Sequence, residues 1–172
     1  KDWQALVEVN SDTTGLWFFN SSHSSGASQP HRHIQLLPRS NSQENCPRDQ
    51  WLKNRIGSNQ SNNDLELNTL VYPITSNDSR GLCEELDYLY TKACNVLGIG
   101  DKRINKYPKI PYNLIITNDY FSVILRSKEY YRGFSINALG FAGYLLATET
   151  ADLQWLKSSS VEYLLSQVIY KH

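Results

Sequence analysis

The pattern of apolar and polar positions predicts alternating helical and extended segments in the N-terminal part of the chain. Residues 2–9 follow the i, i+3, i+4 spacing of an amphipathic helix. Its apolar face carries Trp3, Leu6 and Val7. Residues 16–19 form an aromatic-rich apolar run that ends at Asn20 and predicts a buried strand. A polar loop over residues 21–29 leads to a second predicted strand over residues 31–37, so we expect an antiparallel hairpin.

The middle of the chain is first polar and then helical. From Arg39 to Asp64 it is rich in Asn, Ser and Gln, which predicts a surface loop or a poorly ordered insertion. Residues 65–74 predict an extended segment. A helix is expected to begin at Ser79 and to stop at the glycines that follow residue 97. Its apolar positions at helical spacing are Leu82, Leu86, Leu89, Tyr90, Val96 and Leu97.

The C-terminal part of the chain carries a second predicted hairpin. Two β-branched-rich runs, residues 112–117 and 121–125, flank the turn dipeptide Asn118-Asp119. Residues 134–147 begin as a strand and continue as a segment of uncertain type, and the tail after them carries helical patterns. Together these elements predict an α+β fold.

Size and charge limit the classes of function. The chain has 172 residues, enough for one domain with a real core. Its 17 basic and 17 acidic residues give no net charge, which argues against nucleic acid as a partner but not against a small phosphorylated ligand. No apolar run approaches the ~20 residues of a membrane span, so no membrane partner is expected. The three cysteines are far apart, which predicts reduced thiols in a cytoplasmic protein.

The candidate chemistry lies in the second predicted strand. Alternate side chains of a strand face the same way, so His31, His33 and Gln35 would share one face. Ile34 and Leu36 would take the other face and pack against a helix. The pattern therefore predicts two imidazoles and an amide in a row on an accessible surface.

The loop before this strand is suited to binding an anion. Residues 24–28 have small side chains around Gly26, whose backbone can adopt positive φ and approach a ligand closely. A neutral imidazole beside such a loop is a good nucleophile for phosphoryl or nucleotidyl transfer. The amide of Gln35 could donate to a phosphate oxygen in the transition state. On chemistry alone, either histidine could be the nucleophile.

Two interpretations of these histidines without a nucleophile stay open at this point. The histidines could form half of a zinc site that His23 or a cysteine completes, although no second ligand pair has suitable spacing. They could also be ordinary surface histidines. We assign no metal ligand and no certain cofactor, and leave a divalent cation such as Mg²⁺ open.

The motif resembles a known active-site segment. Residues 20–22 followed by residues 26–35 are similar to the active-site segment of ATP adenylyltransferases, also called diadenosine tetraphosphate (Ap4A) phosphorylases. These belong to the galactose-1-phosphate uridylyltransferase branch of the histidine-triad superfamily. Residues 111–117 and 134–143 resemble the C-terminal region of the same family. The resemblance implies a histidine-triad-like antiparallel sheet with flanking helices.

The resemblance also implies roles for single residues. His33 would be the adenylylated nucleophile, Gln35 would contact the α-phosphate, and His31 would support and orient the site. The residues implied to line the phosphate site are Asn20, Gly26, Ala27, Ser28 and Gln29. For the adenosine we name Asn113 and Thr117.

The implied activity is cleavage of Ap4A with inorganic phosphate to ATP and ADP through an adenylyl-histidine intermediate. Gln35 favours transfer, because the hydrolase branch carries histidine at that position. The partners would be small-molecule nucleotides (Ap4A, ATP and ADP) and phosphate, and the sequence does not predict the oligomeric state. The alternatives are nucleotidyl transfer to a sugar phosphate and a nucleotide-binding module without catalysis.

The resemblance suggests a division of the chain. Residues 1–40 would be the catalytic half of the histidine-triad-like domain, and residues 41–110 a polar insertion with a connecting helix. Residues 111–172 would be the family's C-terminal region. We find no counterpart of the family's N-terminal region before Lys1, and the chain contains no methionine. We therefore expect the N-terminal part to be missing.

Overall fold

A computed structural model describes residues 1–40, 44–58, 61–101, 104–105 and 107–171. Its helices are α1 (Asp2–Asp12), α2 (Asp49–Asn54), α3 (Asp64–Leu67), α4 (Ser79–Val96), α5 (Ala138–Ala142), α6 (Leu153–Ser158) and α7 (Val161–Ser166). Its strands are β1 (Gly15–Asn20), β2 (Gln35–Pro38), β3 (Thr69–Pro73), β4 (Tyr112–Ile116), β5 (Tyr120–Leu125), β6 (Tyr130–Tyr131), β7 (Phe134–Ser135) and β8 (Leu146–Ala147).

A five-stranded antiparallel sheet with the order β2-β1-β4-β5-β3 forms the centre of the fold. It contains both predicted hairpins, β1 with β2 and β4 with β5. A smaller sheet pairs β6, β7 and β8. Strands and helices together confirm the predicted α+β class and the antiparallel sheet with flanking helices.

A core cluster covers each face of the central sheet, and alternate residues of β1 are buried in opposite clusters. Trp17 and Phe19 belong to the core cluster that includes buried residues of α1 and α4. Leu16 and Phe18 belong to the cluster that includes residues of α5 and α7. Every residue of β1 is therefore buried, as its apolar run predicts.

The long helix α4 has the predicted bounds, and the residues at its two ends explain them. The side chain of Asp78 accepts a hydrogen bond from the backbone N–H of Gly81 and caps the N-terminus. The chain leaves the helix at Gly98, whose φ of +66° lies in the left-handed region. In the described part of the chain, no helix is long and apolar enough to cross a membrane.

The second strand is shorter than predicted. It begins at Gln35 rather than at His31, because its register with β1 starts at the pair Phe18 and Gln35. The last residues of β1, Phe19 and Asn20, pair with β4 on the other edge of β1 and lie beyond the register with β2. Strand alternation therefore does not place His31 and His33, although Ile34 and Leu36 do pack on the helix side as predicted.

The expectation of a surface loop from Arg39 to Asp64 is wrong for the described residues. Residues 41–43 and 59–60 of that stretch lie outside them, as does His172. The stretch contains α2, whose Leu52 is fully buried, and Cys46 is buried in the same core cluster. The few apolar residues of this polar segment suffice to anchor it.

Two further segments depart from the predicted elements. Residues 65–74 were expected to be extended, but they begin within α3 and become a strand only at Thr69. Residues 134–147 comprise a two-residue strand, the short helix α5 and the strand β8. The helical patterns of the tail are confirmed by α6 and α7.

Candidate active site

The polar loop after β1 is built as a tight turn. Residues His23–Ser25 form a 3₁₀ turn, which the side chain of Ser25 closes through the backbone of Ser22. The backbone N–H of Ser22 donates to Oγ of Ser25 over 2.9 Å, and that hydroxyl donates to the carbonyl of Ser22 over 2.8 Å. Gly26 ends the turn with a φ of +84°, in the left-handed region. Local capping therefore fixes the loop that the sequence marks as an anion site.

A pair of asparagines joins this loop to the central sheet. Asn20 and Asn113 lie opposite each other on β1 and β4. Nδ2 of Asn113 donates to Oδ1 of Asn20 over 2.7 Å and to the carbonyl of Ser25 over 2.8 Å. Oδ1 of Asn20 also accepts from the backbone N–H of Ala138, at the start of α5, over 2.9 Å. The two amides thus connect the sheet, the loop and α5.

Behind the asparagines lies a fully buried arginine, Arg126. Its guanidinium donates to Oδ1 of Asn113 and to the carbonyl of Ser25. Burial lowers the pKa of Arg126 to about 9, with Glu129 opposing the shift, so the group keeps its proton at neutral pH. Sequence reasoning missed this residue, whose only signal is a charge directly after the apolar run of β5.

The two histidines of the motif lie side by side even though they precede the strand. Their ring centroids are 5.2 Å apart, with an angle of 49° between the planes. Nδ1 of His33 lies 3.0 Å from the backbone carbonyl oxygen of His31. His31 is exposed and His33 is half-buried, so both imidazoles are open to a ligand.

Gln35 begins β2 and lies opposite Phe18. Ile34 and Leu36 pack with the α1 and α4 side of the core, whereas Leu37 packs with the other side. Alternation therefore puts Gln35 on the sheet face that carries Phe18 and Asn20. That face is the one on which the asparagine pair and Arg126 are found.

A cavity of about 870 Å³ opens beyond the end of β1. Five of the predicted site residues line it: Asn20, Ala27, Ser28, Gln29 and His31. Among the described residues, its lining does not include His33 or Gln35, which follow His31 along the chain. A volume of this size is in the range of small-molecule sites.

Three other predicted residues occupy positions outside the cavity lining. Gly26 lies against Asn137, so its role is to let the turn pack closely. Asn113 is fully buried, and its side chain bonds only within the protein network described above. Thr117 lies at the far end of β4, where Oγ1 accepts from the backbone N–H groups of the β4–β5 turn. The expectation that Asn113 and Thr117 reach the adenosine therefore has no support in their placement.

The opposite wall of the cavity contains residues that the motif did not indicate. Tyr90 of α4 and Tyr112 of β4 share a hydrogen bond of 2.7 Å between their hydroxyls. Burial raises the pKa of Tyr90 to about 12, against the opposing effect of the hydrogen bond with Tyr112. Further lining comes from Ile99, Gly100, Asp101, Asn105, Tyr107 and Pro108. No periodic or motif signal in the sequence links that segment to the histidines.

The cationic side chain of the motif also faces the cavity. Arg32 lines it and forms an ion pair with Asp2 of α1, with 2.9 Å between Nη2 and Oδ2. His23, named above as a potential zinc ligand, instead lies with Nδ1 3.0 Å from Oε2 of Glu129. Within the described ranges, no group of three or more His, Cys, Asp or Glu side chains could hold a metal ion.

Comparisons with solved structures identify the fold. Three crystal structures of the yeast Ap4A phosphorylase Apa2 are similar to the chain: that of the enzyme itself, that of its complex with Ap4A and that of its complex with AMP. Their sequence identities are 20%, 19% and 17%, and their TM-scores are 0.63, 0.66 and 0.63. Each match covers 98% of this chain but only 60%, 62% and 60% of the yeast chain. No curated protein matches the sequence.

Family models match nearly the whole chain. The Ap4A phosphorylase N-terminal domain matches residues 1–54, and the ATP adenylyltransferase C-terminal domain matches residues 30–171. The second match spans well over half of the sequence and includes the histidines, the asparagine on β4 and the buried arginine. The chain therefore belongs to the ATP adenylyltransferase (Ap4A phosphorylase) family.

Proposed function

We propose that this chain carries the transfer centre of an ATP adenylyltransferase, which cleaves Ap4A with inorganic phosphate to ATP and ADP. One observation carries the proposal: Nδ1 of His33 lies 3.0 Å from the carbonyl oxygen of His31. Family membership and the fold shared with a yeast Ap4A phosphorylase support the substrate class.

The contact between the two histidines selects the nucleophile on physical grounds. A carbonyl oxygen can only accept a hydrogen bond, so Nδ1 of His33 must carry the ring proton. Nε2 then holds the free lone pair and can attack phosphorus. Among the described residues, no backbone carbonyl contacts the ring of His31, and in this proposal His31 orients its neighbour through its own backbone.

The reaction has two displacements. Nε2 of His33 attacks the α-phosphorus of Ap4A and forms an N–P bond, while the α,β-bridging P–O bond breaks and its electron pair leaves with ATP. Inorganic phosphate then attacks the same phosphorus, the N–P bond breaks, and ADP leaves with His33 restored. The ring is formally cationic in the intermediate, and the carbonyl of His31 on its N–H stabilises that charge.

Charge on the phosphate oxygens must be met by donors held in place before the reaction. Gln35 supplies an amide on the sheet face that carries Asn20. The backbone and hydroxyl of Ser28 and the side-chain amide of Gln29 supply donors along the cavity wall, whereas the backbone N–H of Ala27 donates to the carbonyl of Ser22. In this assignment Gly26 shapes the turn and does not contact the nucleotide.

A resident metal ion is not part of the proposal. Asp101 supplies a carboxylate to the cavity wall, and the described residues offer no cluster of ligands around it. A divalent cation such as Mg²⁺ would arrive with the polyphosphate. A cytoplasmic location stays a prediction from the cysteines, which form no disulfide and of which Cys46 and Cys94 are buried.

Intact-mass spectrometry of protein incubated with Ap4A tests the intermediate. The sample is quenched at alkaline pH, where the N–P bond of a phosphoramidate survives. We expect one added adenylyl group in the wild type and none in His33→Ala, whereas the matched control His31→Ala should still accept the group, more slowly. Adenylylation of His33→Ala would show that the nucleophile is assigned wrongly.

The acceptor separates the proposed activity from the two alternatives. We expect adenylylated protein to lose its group to inorganic phosphate faster than to a hexose 1-phosphate. A preference for the sugar phosphate would favour a uridylyltransferase-like enzyme. Tight nucleotide binding without any adenylylation of the wild type would favour a binding module.

A further inference from the structure

We infer that Arg126 is a positioning residue for the nucleotide site, acting through Asn113 to hold the side-chain amide of Asn20 with its N–H toward the cavity. The inference rests on the proposed function, because it assumes that a phosphate oxygen lies where that N–H points. Each step of the relay follows from groups that can only donate a hydrogen bond.

The first step is the orientation of Arg126. The side chain is fully buried, and each of its three nitrogens donates a hydrogen bond to an acceptor within the protein. Nε donates to the carbonyl of Val168 over 3.1 Å, and Nη2 donates to the carbonyls of Lys128 and Ile136, each over 2.8 Å. These bonds leave Nη1 directed at Asn113 and at the carbonyl of Ser25.

The second step is the orientation of Asn113. A guanidinium has no acceptor, so the amide of Asn113 must present Oδ1 to Arg126. Its Nδ2 then faces the other way and donates to Oδ1 of Asn20 and to the carbonyl of Ser25. If the amide of Asn113 were turned by 180°, its oxygen would face the two acceptors on Asn20 and Ser25, and its N–H₂ would face the guanidinium of Arg126.

The third step is the orientation of Asn20. Its Oδ1 accepts from Asn113 and from the backbone N–H of Ala138, two groups that cannot be satisfied by an N–H₂. Nδ2 is left over, and no described residue accepts a hydrogen bond from it. Because Asn20 lines the cavity, this donor is available to a ligand oxygen. With the amide reversed, an oxygen would face the phosphate and repel it.

Arg126 also holds the C-terminal tail and the Ser25 carbonyl, so a purely structural role must be separated from the relay. A double-mutant cycle does so, since a residue that acts through Asn20 has no further effect once the Asn20 donor is gone. Asn20→Asp is the matched variant: it keeps the buried acceptor and replaces the donor with an oxygen. Arg126→Lys keeps the charge but has three donors instead of five.

The cycle is measured with AMP and with adenosine as probes, by NMR titration of the wild type, both single variants and the double variant. We expect Arg126→Lys to weaken AMP binding by about tenfold, the size of a lost hydrogen bond to a charged group. Adenosine binding should change by less than about twofold, since adenosine has no phosphate. In the Asn20→Asp background, Arg126→Lys should weaken AMP binding by less than about twofold further.

Equal losses of AMP affinity in both backgrounds would overturn the inference, as would equal losses for adenosine and AMP, because either result means that Arg126 acts through general packing. If Arg126→Lys does not fold, Asn113→Asp takes its place in the cycle. This variant keeps an acceptor for Arg126, but it presents an oxygen to Asn20 where the wild type presents an N–H₂ donor. A wild type that binds AMP but never becomes adenylylated refutes the proposed function and leaves the cycle measurable. A wild type that binds neither probe refutes the inference itself.

Discussion

Gly26 and Asn137 approach each other so closely that a side chain on Gly26 has no room. A Cβ placed on Gly26 would lie 2.6 Å from Cβ of Asn137 and 2.9 Å from its Cα. Asn137 in turn caps α5 through a side-chain bond from the N–H of Gly140. The turn that carries the candidate phosphate site is thus fitted against the start of a helix.

Gly26→Ala should destabilise the protein and loosen the turn. The positive φ costs about 1–2 kcal/mol for a residue with a Cβ, and the clash with Asn137 adds about 1–3 kcal/mol. Urea unfolding gives the free-energy difference directly. Gly57→Ala is the matched control, because Gly57 has a φ of +69° and no atom of the described residues lies within 4 Å of the added Cβ. An equal loss in both variants would mean that the contact with Asn137 is unimportant.

Leu52→Ala tests whether the polar stretch between β2 and β3 is part of the fold. Leu52 is fully buried in the main core cluster, so its truncation should cost about 2–5 kcal/mol in the free energy of unfolding. Gln50→Ala, in the same helix but exposed, should change that free energy by less than about 0.5 kcal/mol. Similarly small effects at both positions would mean that this segment behaves as a surface loop and is not part of the core.

The elements predicted correctly are those whose evidence is local. Helix α4 has a repeating apolar face, a capping aspartate and a terminal glycine. The β4–β5 hairpin has a turn dipeptide between its apolar runs, and β1 and β2 are joined by a polar loop. The prediction of a surface loop between Arg39 and Asp64 is wrong, because burial of this segment depends on a few apolar residues spread through polar sequence. Average composition does not reveal that Cys46 and Leu52 reach the core.

The sequence located the histidine motif of the candidate site but not the residues that support it. The motif located His31, His33 and the cavity-lining loop, but its alternation argument assumed a strand that begins at His31, whereas β2 begins at Gln35. Arg126 comes from a strand far away in sequence, and its contacts depend on how β4 and the tail fold around it. Spacing along the chain carries no information about such a contact.

Glu85 should contribute to stability in a pH-dependent way. Burial raises its pKa, but hydrogen bonds from the backbone N–H groups of Ser76 and Thr75 and from the Thr75 hydroxyl outweigh this, so the pKa is lowered. A carboxyl with a lower pKa in the folded state stabilises the protein above its ordinary pKa of 4.5. That contribution is lost as the pH falls through the folded-state value.

Glu85→Gln should therefore lower the free energy of unfolding at neutral pH, and its difference from the wild type should shrink as the pH falls below 4.5. Chemical unfolding at a series of pH values measures both curves. Glu84→Gln serves as the control, because Glu84 is exposed and pairs with exposed Arg80. Parallel curves for the wild type and Glu85→Gln would contradict the prediction.

Asp2→Asn should strengthen the binding of an anionic nucleotide. Arg32 lines the cavity, and its ion pair with Asp2 offsets part of its charge while both side chains stay partly exposed. Losing an exposed pair costs less than about 1 kcal/mol of stability. Freeing the guanidinium should tighten AMP binding on the order of twofold at low ionic strength, and less at 1 M salt, where the screening length is about 3 Å.

Calorimetric titration with AMP at both salt concentrations measures this effect. Glu8→Gln removes the same charge from the exposed side of the same helix, at a residue that does not line the cavity in the described structure, and should leave AMP affinity nearly unchanged. Arg32→Gln should weaken AMP binding and make Asp2→Asn silent, because the two substitutions act on one contact. Equal gains from Asp2→Asn and Glu8→Gln would mean that net charge, rather than release of Arg32, controls the affinity.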